Sequence, residues 1–310
     1  MSTLTPGISI IVPVYNSAAT LEKLLLRLNV ELDLLNCEHE MIFVNDFSKD
    51  NSWDKLCELS VVYPKMRLFS LARNFGQHNA LLCGIRQARY TVCVTLDDDL
   101  QNPPEEIGKL LSVMPVYDVV YGKPPQANNG FLRDIASLIT KYTLSKMMGA
   151  ETAGNISAFR AFKTEIRKAF DDYRGPYVSI DVLLSWGTSK FTALDVKHDP
   201  RAAGKSNYTV MALVTHAFNM LTGFTTAPLR LATVTGMVFM LIGIILLLFV
   251  IIRYFMEGTT APGFPFLATI ICLFSGVQLF VLGIIGEYIA RIHFRTMDKP
   301  SYVVEKGEGE

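Results

Sequence analysis

Cysteine is scarce and unpatterned. Cys37, Cys57, Cys83, Cys93 and Cys272 show no CxxC spacing, which argues against a zinc site or a disulfide frame. They sit mostly in apolar runs and read as reduced, buried thiols of a chain facing the cytosol. A charge excess of one sign is also missing. The 29 Lys and Arg balance the 29 Asp and Glu, so no basic character points to nucleic acid. The polar N-terminus lacks a basic-then-apolar leader, and no signal peptide is expected. No GxGxxG follows the first apolar run and no GxxxxGKS/T occurs, so Rossmann dinucleotide and P-loop readings lack their phosphate cradles.

Two stretches lack charge altogether, Leu231–Ile252 and Gly258–Gly286. Each exceeds the roughly 20 residues that cross a bilayer's hydrocarbon core. The expected organisation is a catalytic domain over 1–207, an interfacial helix over 208–227, membrane helices over 228–254 and 264–288, and a tail over 289–310. Within the domain, Phe131–Met148 has an apolar face with Arg133, Lys141 and Lys146, which suggests an amphipathic helix (131–149) in the membrane interface. Arg230 on one side and Arg291, Arg295 and Lys299 on the other favour a cytoplasmic domain and cytoplasmic termini. Gly236, Gly243 and Gly276 would allow close helix packing, so a homo-oligomer is a further expectation.

What is present up to about residue 225 is an alternation of strands and helices. Apolar runs at Ile8–Tyr15, Met41–Val44, Arg67–Leu71 and Tyr90–Leu96 are separated by helical patterns at Thr20–Leu35, Trp53–Val62 and His78–Ala88. Further strands are expected at Tyr117–Gly122 and Gly154–Phe162, and a helix at Val178–Trp186, where Asp181 caps or packs. The alternation predicts an α/β fold with a mostly parallel sheet, whose ligands bind beyond the carboxyl ends of the strands. Tyr15-Asn16, Asp46, Arg73 and the run Asp97-Asp98-Asp99-Leu-Gln101 all fall at such ends. Three adjacent acids repel unless a cation sits among them, and hard cations such as Mg²⁺ or Mn²⁺ take carboxylates plus substrate phosphates. Alternation along an extended chain lets Asp97 and Asp99 share a metal while Asp98 turns elsewhere. A nucleotide diphosphate suits such a site, with Asp46 free to bond the base or ribose.

These motifs carry a resemblance. Ile11-Val-Pro13-Val-Tyr15-Asn16, Asn45-Asp46-x-Ser48-x-Asp50 and the acidic run look like the nucleotide-binding face of family 2 (GT-A) glycosyltransferases. Arg73-Asn-Phe-Gly-Gln77 and Asp99-Leu-Gln101 narrow this to the branch that contains dolichol-phosphate mannose synthase and the bacterial polyprenyl-phosphate glycosyltransferases. Gly286-Glu287-Tyr288-Ile-x-Arg291-Ile resembles the end of the second span in the bacterial two-span glucosyltransferases of that branch. The resemblance implies a nucleotide-sugar donor, UDP favoured, and a polyprenyl phosphate acceptor at the bacterial inner membrane. It implies Pro13, Tyr15, Asn16, Asp46, Arg73 and Asp98 as nucleotide contacts, and Asp97, Asp99 and Gln101 as ligands of Mg²⁺ or Mn²⁺. Arg201, Gly204, Ser206 and Tyr208 match an Arg-x-x-Gly-x-Ser-x-Tyr motif associated with the acceptor phosphate. Arg133 and Lys205 would add charge there, and Asp97, Asp99 and Arg201 would be the catalytic residues.

One position departs from the resembled pattern. Relatives that make glucosyl lipids carry an Asp before a Phe-Arg pair, and this chain has Ala158 before Phe159-Arg160. A phosphate acceptor, with a second pKa of about 6, is already ionised at neutral pH and needs no base. A hydroxyl lipid acceptor would need one. Two alternatives stay open at this point, a hydroxyl lipid acceptor and a catalytically silent protein that binds a nucleotide sugar.

Overall fold

A computed structural model of the chain describes residues 4–123, 155–175, 177–199, 222, 225–257 and 263–308. Two compact units divide it, Met1–Val214 together with Asp298–Glu310, and Thr215–Met297. The helix expected over 131–149, the acceptor motif 201–208 and most of the helix expected over 208–227 lie outside the described residues.

The first unit begins as the sequence suggests: β1 (Thr5–Val14), α1 (Ala18–Leu34), β2 (His39–Asn45), α2 (Ser52–Val62), β3 (Met66–Leu71), α3 (Gln77–Gln87) and β4 (Tyr90–Thr95). β1 is nearly all apolar because both its faces are covered, and Ile8, Ile10, Ile11, Val12 and Val14 are buried. α1 turns Leu21, Leu24, Leu25, Leu28 and Leu32 inward at helical spacing. α3 lies so close to β1 that a Cβ on Gly84 would stand 2.5 Å from Ile11 Cγ2, so nothing larger than glycine fits without displacement. Then follow α4 (Ile107–Val113), β5 (Val119–Lys123), β6 (Arg160–Lys163), α5 (Ile180–Gly187) and β7 (Phe191–Asp195), with β8 (Val304–Glu308) near the C-terminus.

The sheet order is β7-β5-β6-β4-β1-β2-β3-β8. The pairs β1–β2, β1–β4, β2–β3 and β5–β7 are parallel, while β4–β6, β5–β6 and β3–β8 are antiparallel. The expected strand over 154–162 starts only at Arg160, where backbone pairing with β4 begins opposite Thr95. From β1 the chain builds outward through β2 and β3, then returns to place β4 on the other side of β1. The carboxyl ends of β1 and β4 therefore flank the switch point of the sheet, the usual ligand crevice in such folds.

Pro13 shows how that crevice opens. Ile11 C=O accepts from Leu96 N–H (3.3 Å), so Ile11 and Pro13, two residues apart, both turn their backbone groups toward β4. The β1–β4 ladder ends at Ile11 opposite Thr95, so the N–H that proline lacks has no strand to meet. Pairing with β2 continues to Val14 opposite Asn45. The residues after Thr95 are thereby released from the sheet.

The second unit holds α6 (Ala227–Glu257) and α7 (Gly263–Thr296). Ala227–Arg253 and Phe274–Thr296 are long and apolar enough to cross a membrane, and neither window is buried inside the structure. Core burial therefore does not explain their composition. Both helices outrun the expected limits of 228–254 and 264–288. α7 continues through Glu287 and Arg291, which pair at 2.7 Å across one turn and favour helix in polar sequence. Gly243 gives room to Phe274, whose ring lies 3.0 Å from where a Cβ would be, so this glycine serves packing within the hairpin.

The tail expected over 289–310 is not a separate piece. Residues up to Thr296 belong to α7, and Val304–Glu308 form β8 on the β3 edge of the first unit. The reason is backbone pairing: an edge strand satisfies the free N–H and C=O groups of β3 whatever its side chains are. Among the described residues Cys83 and Cys93 are buried as expected, whereas Cys37 and Cys57 are only half-buried.

Candidate active site

Each of the strands β1 to β4 is followed by a residue in the left-handed backbone region. These are Asn16 (φ 54°) after β1, Phe47 (φ 58°) after β2, Gly76 (φ 93°) after β3 and Leu100 (φ 63°) after β4. Such conformations cost energy for non-glycine residues and collect at functional sites. Here they turn each loop sharply so that polar groups gather along one edge of the sheet.

The β1 and β2 loops are stitched together. Asn16 N–H donates to Ser48 Oγ (3.0 Å), and Lys49 N–H donates to Asn16 Oδ1 (2.7 Å). Ser17 N–H donates to Ser52 Oγ (2.9 Å) and Ala18 N–H to Asp50 Oδ2 (3.2 Å). Ser48, Asp50 and Ser52 thus hold the loop that presents Tyr15 and Asn16, both exposed to solvent. Pro13 is buried in the ladder and shapes the crevice through its backbone.

Asp46, expected to bond a base or ribose, holds two backbone donors of the β3–α3 loop. Its Oδ1 accepts from Phe75 N–H (2.7 Å) and its Oδ2 from Gly76 N–H (2.8 Å). Burial raises its pKa, and these two donors work against that rise. Asp46 is therefore a clamp on the β3–α3 loop. Asn79 Nδ2 bonds Phe75 C=O (2.6 Å) in the same loop, and Arg73 lies 4.5 Å over the Phe75 ring. Sequence reading places Asp46 and Arg73 at strand ends but cannot show that the acid is occupied by backbone from thirty positions later.

The three acids of the run take three different partners. Asp98 Oδ2 accepts from Tyr15 N–H (3.1 Å), tying the tip of β4 to the end of β1 across the switch point. Burial pushes Asp98 up to about 6, against hydrogen bonds from Ser17 and Tyr15 that hold it down. Asp99 Oδ1 accepts from Gln101 N–H (3.1 Å) in a tight local turn, and Gln77 Nε2 donates to Asp97 Oδ1 (2.6 Å). Among the described residues no three His, Cys, Asp or Glu side chains converge on one metal position. With Asp98 turned to β1, the chain offers Asp97 and Asp99. Two hard carboxylates completed by substrate phosphates and water are what Mg²⁺ or Mn²⁺ takes, so the donor set fits such an ion.

A folded pKa above the unfolded value of about 3.9 means that Asp98 favours folding when neutral. Its contribution is fully present below about pH 4 and is lost as pH rises through about 6. Asp98→Asn keeps an acceptor for Tyr15 N–H and cannot ionise. Its stability relative to the parent should rise between pH 4 and pH 6 and stay level above, in paired denaturation curves at pH 4 and pH 7.5. A gap that does not change with pH would contradict this assignment.

Two further features escaped sequence reading. The antiparallel register puts Arg160 opposite Thr95, whose Oγ1 donates to Ala158 C=O (2.7 Å). The position where the resembled pattern has an acid therefore lies beside the last residue of β4. Arg27 grips Glu105 with two bonds (2.9 and 2.7 Å) and reaches Asp199 (3.4 Å), whose N–H donates to Gln101 C=O (2.9 Å). Arg27 lies inside the α1 pattern, where no local signal distinguishes it from a surface cation.

Comparison with known proteins extends these findings. Glucosyl-3-phosphoglycerate synthase from Mycobacterium tuberculosis, solved with Mn²⁺, UDP and glucosyl-3-phosphoglycerate, superimposes with a TM-score of 0.52 at 15% identity, covering 70% of this chain and 78% of that one. The likeness is one of fold, the mostly parallel α/β sheet of the GT-A type. The profile described as glycosyl transferase family 2 matches residues 9–171, and one described as GtrB C-terminal hairpin matches 227–292. The chain belongs to glycosyl transferase family 2. An undecaprenyl-phosphate 4-deoxy-4-formamido-L-arabinose transferase of Photorhabdus laumondii is 32% identical over 308 residues, covering 98% of this chain and 94% of the relative. The glycosyltransferase YkcC of Bacillus subtilis, described as uncharacterized, is 31% identical over 97% of this chain and 94% of its own length.

Proposed function

We propose that the chain transfers one sugar from a nucleotide-diphosphate donor, UDP favoured, to undecaprenyl phosphate at the cytoplasmic face of the inner membrane. The observation that carries this is the joining, in one chain, of a GT-A acidic strand end to a long apolar hairpin, matched along 98% of its length by a relative named for undecaprenyl phosphate. A soluble donor and a lipid-borne acceptor meet only at a surface, and the hairpin would hold the catalytic unit there.

Asp97 and Asp99, with Gln101 as a further candidate, would hold Mg²⁺ or Mn²⁺, which supplies charge neutralisation for the leaving diphosphate. Tyr15, Asn16, Arg73 and Asp98 line or brace the nucleotide side, and Asp46 braces the loop that carries Arg73. Arg201, Lys205, Ser206 and Tyr208 are assigned to the acceptor phosphate, and Asp199, shortly before them in sequence, donates its N–H to Gln101 C=O. Arg133 is assigned to the same acceptor phosphate. That phosphate, ionised at neutral pH, attacks the anomeric carbon; the bond to the diphosphate oxygen breaks, and the configuration inverts. Ala158, beside the end of β4, supports this acceptor, because a hydroxyl would need a base that this side chain does not supply.

The pairing of β8 with β3 supports the topology. A strand that follows both helices and joins the catalytic sheet requires an even number of membrane crossings between them. Two crossings leave the domain and both termini on one side, and Arg230, Arg291, Arg295 and Lys299 favour the cytoplasm for it.

The test is transfer from a panel of nucleotide sugars by the purified full chain, with undecaprenyl phosphate or undecaprenol, before and after chelation. Glycolipid formed only with the phosphate and a divalent ion is the expected result. Equal transfer to undecaprenol favours the hydroxyl reading, and nucleotide binding without turnover on any donor favours a silent binding protein.

A further inference from the structure

Gln77 ends the Arg73-Asn-Phe-Gly-Gln77 run. It is the first residue of α3, just after Gly76, and its Nε2 donates to Asp97 Oδ1 at 2.6 Å. The loop that delivers it is fixed from the far side of the site. Phe75 and Gly76 give their N–H groups to Asp46, Asn74 Nδ2 bonds Asp46 C=O (3.3 Å), and Asn79 bonds Phe75 C=O. A continuous run of hydrogen bonds therefore leads from the end of β2, past β1, to the tip of β4. The positive φ of Gly76 (93°) provides the sharp entry into α3 that turns Gln77 toward that tip.

We propose that Gln77 is a positioning residue that sets the orientation in which Asp97 meets the divalent cation. This rests on the reading that Asp97 and Asp99 hold that cation. The choice of an amide has a physical reason. A lysine or arginine at 77 would neutralise Asp97 and compete with the metal, and a carboxylate would repel Asp97. An amide N–H fixes the plane of the carboxylate without bringing a charge of its own. Partners of this kind, one layer behind a metal ligand, typically govern metal affinity by 10- to 100-fold.

The variants are Gln77→Leu and Gln77→Met, which keep most of the side-chain volume and lack the donor. Gln77 is exposed, so neither substitution opens a cavity. Mn²⁺ binding is read directly, by the electron paramagnetic resonance of free Mn²⁺ titrated against full-length protein with UDP present. Half-saturation by Mn²⁺ should rise about 10- to 100-fold in both variants. In transfer assays the Mn²⁺ requirement should rise in step, with kcat at saturating Mn²⁺ changing only a few-fold and the thermal midpoint staying within about 2 °C.

Mn²⁺ binding within twofold of the parent in both variants overturns the inference. So does a loss of kcat at saturating Mn²⁺ with affinity unchanged. If the parent chain itself binds no Mn²⁺ with UDP, the metal reading fails, and this inference with it. Metal binding by the parent alongside unaltered variants removes only the role of Gln77.

Discussion

Replacing Asp99 by alanine should lower sugar transfer by roughly 10³-fold, the scale on which losing one stabiliser of transition-state charge acts. Asp99 follows the released end of β4, and its own turn is closed by Gln101 N–H onto Oδ1. Removing the carboxylate leaves Asp97 alone as the placed hard ligand, since Asp98 is bonded to the end of β1. The defect should lie in kcat and in the metal requirement together, while folding is unaffected because the side chain is not in the core. The measurement is transfer rate against Mn²⁺ concentration, with the circular dichroism of the variant as control. Full transfer by Asp99→Ala at ordinary metal concentrations would remove the metal from the proposed chemistry.

The largest expected loss of stability lies behind the site. Arg160 and Asp181 form a buried ion pair between β6 and the first turn of α5. Arg160 Nε also donates to Thr95 Oγ1 (3.1 Å), and Tyr121 OH donates to Asp181 Oδ1 (3.0 Å). Four elements thus meet at one pair, just beneath the strand end that carries Asp97. Arg160→Met leaves Asp181 as an unpaired buried acid and should destabilise the protein by about 3–5 kcal/mol. The double variant Arg160→Met, Asp181→Leu removes both charges and should recover most of that loss. Denaturation of the catalytic domain in the single and double variants checks this. Two equally damaged proteins would show that volume, not charge, is what the site needs.

The sequence reveals strands when both of their faces are buried, and β1 to β4 are of that kind. Ile8 to Val14 and Met41 to Val44 can be read because nothing polar interrupts them except Ser9. β8 reads Val-Glu-Lys-Gly-Glu, which no hydrophobic pattern marks as strand. It is held by its backbone at a sheet edge, and side-chain composition says nothing about that. The site divides in the same way. The carboxylates after β4 are legible because three in a row demand an explanation. The occupation of Asp46 by Phe75 and Gly76 is not legible, because a strand-end acid looks the same whether it awaits a ligand or grips a loop. Asp181, expected only to cap or pack its helix, does sit in the first turn of α5, but its buried partner Arg160 lies in a different strand. Pairings of that kind follow from topology, which local spacing does not contain.

The pairing of β8 with β3 also orders the protein's own birth. Every other strand of the catalytic sheet is synthesised before the hairpin, whereas β8 emerges only after both long helices. Until β8 emerges, the β3 edge of the nascent domain stays uncovered. An exposed edge of that kind invites association with other chains. Bulky fusions placed close behind Glu308 should therefore hinder assembly more than fusions ahead of Thr5.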